Sequence, residues 1–113
     1  SIDYTATPFT ATLVQSNVIA DITITPARVG NAEIHVVFSP PGGTLEPIES
    51  MTARISLETG EIPPIPIDVK RIGVNHFQAN LQVPRDGEWL LELIVKPATN
   101  RTLRFSQIIK IKN

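Results

Sequence analysis

Apolar and polar residues alternate with a period of two along most of this chain, and the alternation restarts after each Pro- or Gly-rich interruption. Val18, Ala20, Ile22 and Ile24 share one parity, and Asp21, Thr23 and Thr25 take the other. After the turn-like stretch 25–31, Ile34, Val36 and Phe38 alternate with Glu33 and His35. The same pattern returns at Met51, Ala53, Ile55 and Leu57, at Ile65, Ile67 and Val69, and at Phe77, Ala79, Leu81 and Val83. Successive side chains of a strand point to opposite faces, so each segment reads as a strand with one buried and one solvated face.

Two later segments are less regular. Trp89, Leu91, Leu93 and Val95 form one face of a strand over 88–96, yet Leu90 and Ile94 make its other face partly apolar. Over 102–112, Leu103, Phe105, Ile109 and Ile111 share a parity that would carry Gln107 inward, and a β-bulge near Ser106 to Ile108 would relieve it. A shorter strand over Phe9 to Val14 opens the domain. No helical period persists, and Pro40-Pro41-Gly42-Gly43 and Pro63-Pro64-Ile65-Pro66 would break a helix or a central strand. The second proline group predicts an edge position for the strand over Ile65 to Ile72. The expected fold is all-β, an immunoglobulin-like antiparallel sandwich of seven to eight strands. Residues 1–113 read as a single domain, without internal repeat or linker.

Composition sets the outer bounds on function. A chain of 113 residues with 42% hydrophobic content can build a core without metals or disulfides. Its net charge of −1, with no basic run, gives nucleic acid little to bind. The absence of cysteine removes disulfides, thiolate metal sites and thiol nucleophiles. No apolar run reaches the roughly 18 residues of a membrane helix. The start at Ser1 reads as a fragment or mature segment of a longer protein.

Three stretches carry a family resemblance: Ile24 to Asn31 followed by a strand, the pair Gly73 and Phe77, and Leu81-Gln82-Val83-Pro84-Arg85-Asp86-Gly87-Glu88-Trp89. From about Pro8 to Ile109 the chain resembles the carboxy-terminal extracytoplasmic domain of bacterial copper resistance and transport proteins of the CopC–CopD fusion type. That domain is similar to YtkA-like and FixH-like β-sandwich modules. The resemblance implies a periplasmic or cell-surface domain, tethered to the membrane through its parent protein. Its partner would be the membrane-embedded portion of the same polypeptide or a companion domain. The motifs also have a structural reading. Pro26 fixes φ as its strand ends, Gly30 permits positive φ, and Pro84 and Gly87 bracket a hairpin beyond which Trp89 anchors the core. Phe77 stands where such modules often carry Tyr, and cannot make that residue's hydroxyl bond.

Copper is the ligand this resemblance puts to the test, and its soft or borderline sites use His, Met and Cys. The candidates are His35, His76 and Met51. Met51 shares parity with core positions, which assigns it to packing. His35 and His76 lie on the solvated faces of strands expected to be neighbours. Pairing those strands about their centres sets His35 opposite Asn80, leaving His76 four residues, or about 13 Å, away. That register predicts two solvated surface histidines and no shared site, so no cofactor is assigned. Catalysis has little support: no Gly-x-Ser-x-Gly occurs, neither histidine has a triad neighbour, and the carboxylates are scattered. The expectation is a non-enzyme with no small-molecule substrate.

Contact is the better-supported role. Val37, Leu90, Ile94 and Ile108 lie out of phase with the core faces of their strands. On adjacent strands they would form an exposed apolar patch of the kind that marks interfaces. The loop from Ser39 to Ser50 would either cover that patch or extend it. The sequence therefore reads as a non-catalytic extracytoplasmic accessory domain of a copper transport or resistance protein. A generic interaction or adhesion module is the alternative, and a metallochaperone-like domain the third reading.

Overall fold

The computed structural model describes residues 8–40, 42, 44 and 46–113. Eight strands are β1 (Phe9–Gln15), β2 (Val18–Thr25), β3 (Gly30–Ser39), β4 (Ile48–Leu57), β5 (Ile65–Gly73), β6 (His76–Val83), β7 (Gly87–Pro97) and β8 (Leu103–Ile111). All neighbouring strands are antiparallel, in the order β1-β2-β3-β6-β5-β4-β7-β8. β2-β3-β6-β5 facing β4-β7-β8 is the strand order of an immunoglobulin constant-type sandwich, here with β1 added beside β2. The expected all-β immunoglobulin-like sandwich is the fold observed.

The alternating residues meet between the layers. Ile22, Ile24, Val36, Phe77 and Val83 of the larger layer pack in one buried cluster with Ile55, Trp89, Leu91, Leu93, Val95 and Ile109 of the smaller. Met51 belongs to this core, as its parity predicts. Trp89 is the bulkiest fully buried side chain. Its indole N–H donates to the Arg85 carbonyl at 3.1 Å, tying the start of β7 to the connection just before it. An immunoglobulin tyrosine corner makes the same kind of bond with a hydroxyl. Here an indole supplies it, while Phe77 on β6 is buried in the core with the Arg71 guanidinium 5.2 Å from the centre of its ring.

Three local expectations need correction. Pro84 and Gly87 do not bracket a hairpin, because β6 and β7 lie in different layers and the segment crosses between them. Gly87 adopts φ +129°, and a Cβ there would stand 3.3 Å from Leu57 Cδ1. β8 has no bulge near Gln107, since its pairing with β7 runs unbroken from Gly87↔Ile111 to Val95↔Leu103. Gln107 instead keeps its inward parity, stays half-buried, and donates its amide to the Ile108 carbonyl at 2.9 Å. Nor is β5 a simple edge. Ile65, Pro66 and Ile67 pair with β4, and from Asp68 onward β5 pairs with β6. Pro66 therefore lies where only one side of the strand is in use, which is the condition a residue without an N–H requires.

The strand ends define two poles. One holds the connections β2–β3, β4–β5 and β6–β7. The other holds β1–β2, β3–β4, β5–β6 and β7–β8. Ser16 and Asn17 close the β1–β2 hairpin with φ of 48° and 62°, the paired positive values of a two-residue primed turn. Positions 41, 43 and 45 of the β3–β4 connection lie outside the described residues, and with them part of the loop expected to cover or extend the apolar patch. At the first pole the chain leaves β2 at Pro26 and crosses to the smaller layer. There Val29 N–H donates to Lys112 O (2.9 Å) and Lys112 N–H to Ala27 O (3.1 Å), a parallel bridge.

Candidate functional site: a histidine pair on the outer face of the larger layer

β3 and β6 are central strands and position the site. Their register runs from Gly30↔Val83 to Val37↔His76 and sets His35 opposite Gln78, not Asn80. His76 is therefore two residues from the position facing His35, on the same face, within reach across the diagonal of the pair. The separation expected from centred pairing is overturned. His35 Nδ1 and His76 Nε2 are 2.9 Å apart, and the ring centroids 5.1 Å apart. His35 Nε2 lies 2.9 Å from Glu33 Oε1. The Gln78 amide donates to the same carboxylate oxygen at 3.4 Å and to Asn80 Oδ1 at 3.0 Å.

Protons in this chain are constrained by its chemistry. A carboxylate only accepts, so His35 Nε2 carries the hydrogen shared with Glu33. In the neutral ring this leaves Nδ1 with its lone pair, directed at His76. Only one hydrogen fits between the two rings, and His76 Nε2–H supplies it. Asp21 lies across Val37, Lys70 across Gln78, and Asp68 across Asn80, which completes the charged surroundings of the face. Among the described residues no three His, Cys, Asp or Glu side chains converge on one point.

The four off-phase apolar residues do not form a single patch. Val37 is on the outer face of the larger layer, beside His76. Leu90 and Ile108 face each other directly across β7 and β8 on the outer side of the smaller layer, where Ser56 flanks Leu90. Ile94 lies on that same side, separated from Leu90 by the Arg54–Glu92 ion pair at 2.9 Å. It borders a shallow groove of about 420 Å³ lined by Thr52, Arg54, Pro66, Arg104 and Ser106.

The second pole holds a polar cluster that alternation alone gives no reason to expect. Asn75, in the β5–β6 turn with φ 52°, is buried. Its carboxamide donates to the Glu46 carbonyl (2.7 Å) and accepts from the Ile48 amide (2.8 Å), while its own carbonyl accepts from Phe38 N–H (2.9 Å). The Glu46 carboxylate accepts from Thr99 Oγ1 at 2.5 Å and Arg101 Nη2 at 2.7 Å, and Arg101 also reaches the Ser16 carbonyl. The Thr99 hydroxyl, then the Arg101 guanidinium, hold the Glu46 carboxyl below the usual carboxylate range. An Asn in a left-handed turn between two strands is the one sequence signal that could have marked this place.

No family model matches the chain, and no curated protein does. Solved structures share its fold. A DUF4426 family protein from Pseudomonas aeruginosa PAO1 aligns with TM-score 0.72 and 12% identity, over 91% of this chain and 94% of that one. FetP from uropathogenic Escherichia coli strain F11 aligns with TM-score 0.63 and 11% identity, over 92% and 94%. A DUF4785 family protein from Legionella pneumophila aligns with TM-score 0.64 and 13% identity, over 86% of this chain and 29% of its own length. At these identities the likeness extends to the sandwich and no further.

Proposed function

We propose that this chain is a non-catalytic, extracytoplasmic accessory domain that acts by protein contact, of the kind carried by bacterial copper transport and resistance proteins. The motif resemblance around Pro26–Gly30 and Pro84–Trp89 supplies the setting. The observation that carries the contact role is the Leu90–Ile108 pair. These are two large aliphatic side chains facing each other across β7 and β8, directed away from a core that is already filled, with Ile108 39% exposed. An apolar pair held on a rigid sheet loses little freedom when a partner covers it. The partner this reading names is the membrane-embedded portion of the parent polypeptide.

Co-expression of this domain with that portion as separate polypeptides tests the reading. In detergent, the native domain should co-purify with the membrane part, and Leu90→Lys with Ile108→Glu, an opposite-charge pair across the two strands, should abolish this while circular dichroism shows the domain still folded. Equal co-purification of the doubly substituted domain would remove the face from the proposal. Absence of any association by the native domain would remove the accessory role.

A further inference from the structure

We propose that His35 and His76 form one shared binding site for a borderline divalent cation, Cu(II) or Zn(II), with Glu33 as the carboxylate that orients His35. The inference stands independently of the contact role, because the pair lies on the opposite layer from Leu90 and Ile108.

The distance between the rings matches that of two nitrogens on one ion. Metal–nitrogen bonds of about 2.0–2.1 Å, meeting at tetrahedral to square angles, place two imidazole nitrogens roughly 2.9–3.4 Å apart. His35 Nδ1 and His76 Nε2 are already 2.9 Å apart. Small rotations of the two rings would turn their lone pairs from each other toward a common point above the sheet.

The protonation pattern already suits a metal ligand. Metal-bound imidazoles characteristically donate their other N–H to a carboxylate or carbonyl, which fixes the tautomer and raises ligand basicity. His35 Nε2–H donates in this way to Glu33 Oε1 at 2.9 Å, and Gln78 braces Glu33 from the strand opposite. The nitrogen facing His76 is therefore the one with the lone pair. On binding, the cation takes the place of the hydrogen between the rings, and His76 keeps its own proton by holding it on Nδ1. No net proton is released from the neutral pair.

The sheet also holds the two rings in place. Both ligands project from neighbouring central strands whose mutual register is unbroken up to Val37↔His76, so the donors are organised before the ion arrives, although His76 opens β6 beside an irregularity in its pairing with β5. Two protein donors leave the remaining positions to water, and the expected dissociation constant is on the order of micromolar.

Titration of the full chain with zinc chloride and copper(II) chloride in a non-chelating buffer tests the site, with imidazole proton resonances followed for zinc. One ion per chain should bind, and both rings should shift together over the same titration range. His35→Gln and His76→Gln should each weaken binding at least tenfold. Since each alone destroys the chelate, the double variant should bind more weakly than either single one, but by less than the product of their two losses. Glu33→Gln should weaken binding about tenfold while leaving both ligands in place. Circular dichroism melts verify that each variant is folded. Two ions per chain, with each single variant retaining one, would establish independent sites and overturn the proposal. Undiminished binding by the double variant would do the same, as would no shift in either ring at about 1 mM ion.

Discussion

Trp89 shows how a single residue can serve packing and polarity together. Its ring is fully buried between the layers near the start of β7, and its N–H closes the corner that precedes that strand. The two roles can be separated by substitution. Trp89→Phe keeps most of the apolar volume and removes the donor, leaving the Arg85 carbonyl to solvent, so a loss of about 1–2 kcal/mol is expected. Trp89→Ala also opens a cavity and should lose about 3–5 kcal/mol. Urea unfolding of the two variants measures both terms, and equal losses would show that the bond, not the ring, is what the position supplies. Trp89 was legible in the sequence as a core anchor from its parity and the adjacent Pro-Gly turn. Its hydrogen bond was not, because alternation reports which face a side chain occupies and nothing about where its N–H points.

Elements were more legible than the relations between them. Each strand was readable from alternation, yet the register of β3 on β6 was not. A slip of one residue inverts every side chain and is excluded by the burial pattern. A slip of two preserves all parities, so alternation cannot detect it. Centred pairing is off by that amount, and it hid the contact between His35 and His76. At the end of these strands the same register is extended by the bond from Phe38 N–H to the Asn75 carbonyl, and the Asn75 side chain bridges Glu46 to Ile48. Asn75→Gly keeps the left-handed backbone accessible and removes only the carboxamide. Two backbone groups, one on each side of the lost amide, then lack their partner. A loss of about 2–4 kcal/mol in chemical denaturation is expected, and a loss below about 0.5 kcal/mol would mean that water replaces the amide without penalty. The partner change within β5 was likewise hidden. Prolines mark a strand side that is unpaired, but not whether that side is free along the whole strand or along half of it.

The whole molecule is a sandwich whose two outer faces and two poles differ in chemistry. The larger layer presents the Glu33–His35–His76 chain, and the smaller presents Leu90 and Ile108. At the second pole Arg101 joins three connections through Ser16 and Glu46, with Thr99 completing the carboxylate's bonds. Because the folded state holds the Glu46 carboxyl below its ordinary range, its contribution is present above the unfolded value and is lost as the pH falls through the folded one. Melting temperature should therefore fall on acidification through and beneath the ordinary carboxylate range, more steeply for the native chain than for Glu46→Gln. Parallel pH profiles for the two would show that the cluster does not act on stability through this proton. The fold as a whole was legible because every layer of the sandwich repeats one simple pattern. The clusters were not, because they join residues far apart in sequence at places where that pattern stops.

The crossing of the chain at Pro26 has a mechanical consequence. The segment 27–29 lies parallel to the end of β8, and its two hydrogen bonds with Lys112 are nearly side by side. A pull on the carboxy-terminal end along β8 strains both bonds at once, whereas an antiparallel hairpin pulled open from its end gives way one bond at a time. The staple shares that load with the unbroken β7–β8 ladder, and the crossing segment 27–29 is drawn along with the carboxy-terminal end until both of its bonds fail together.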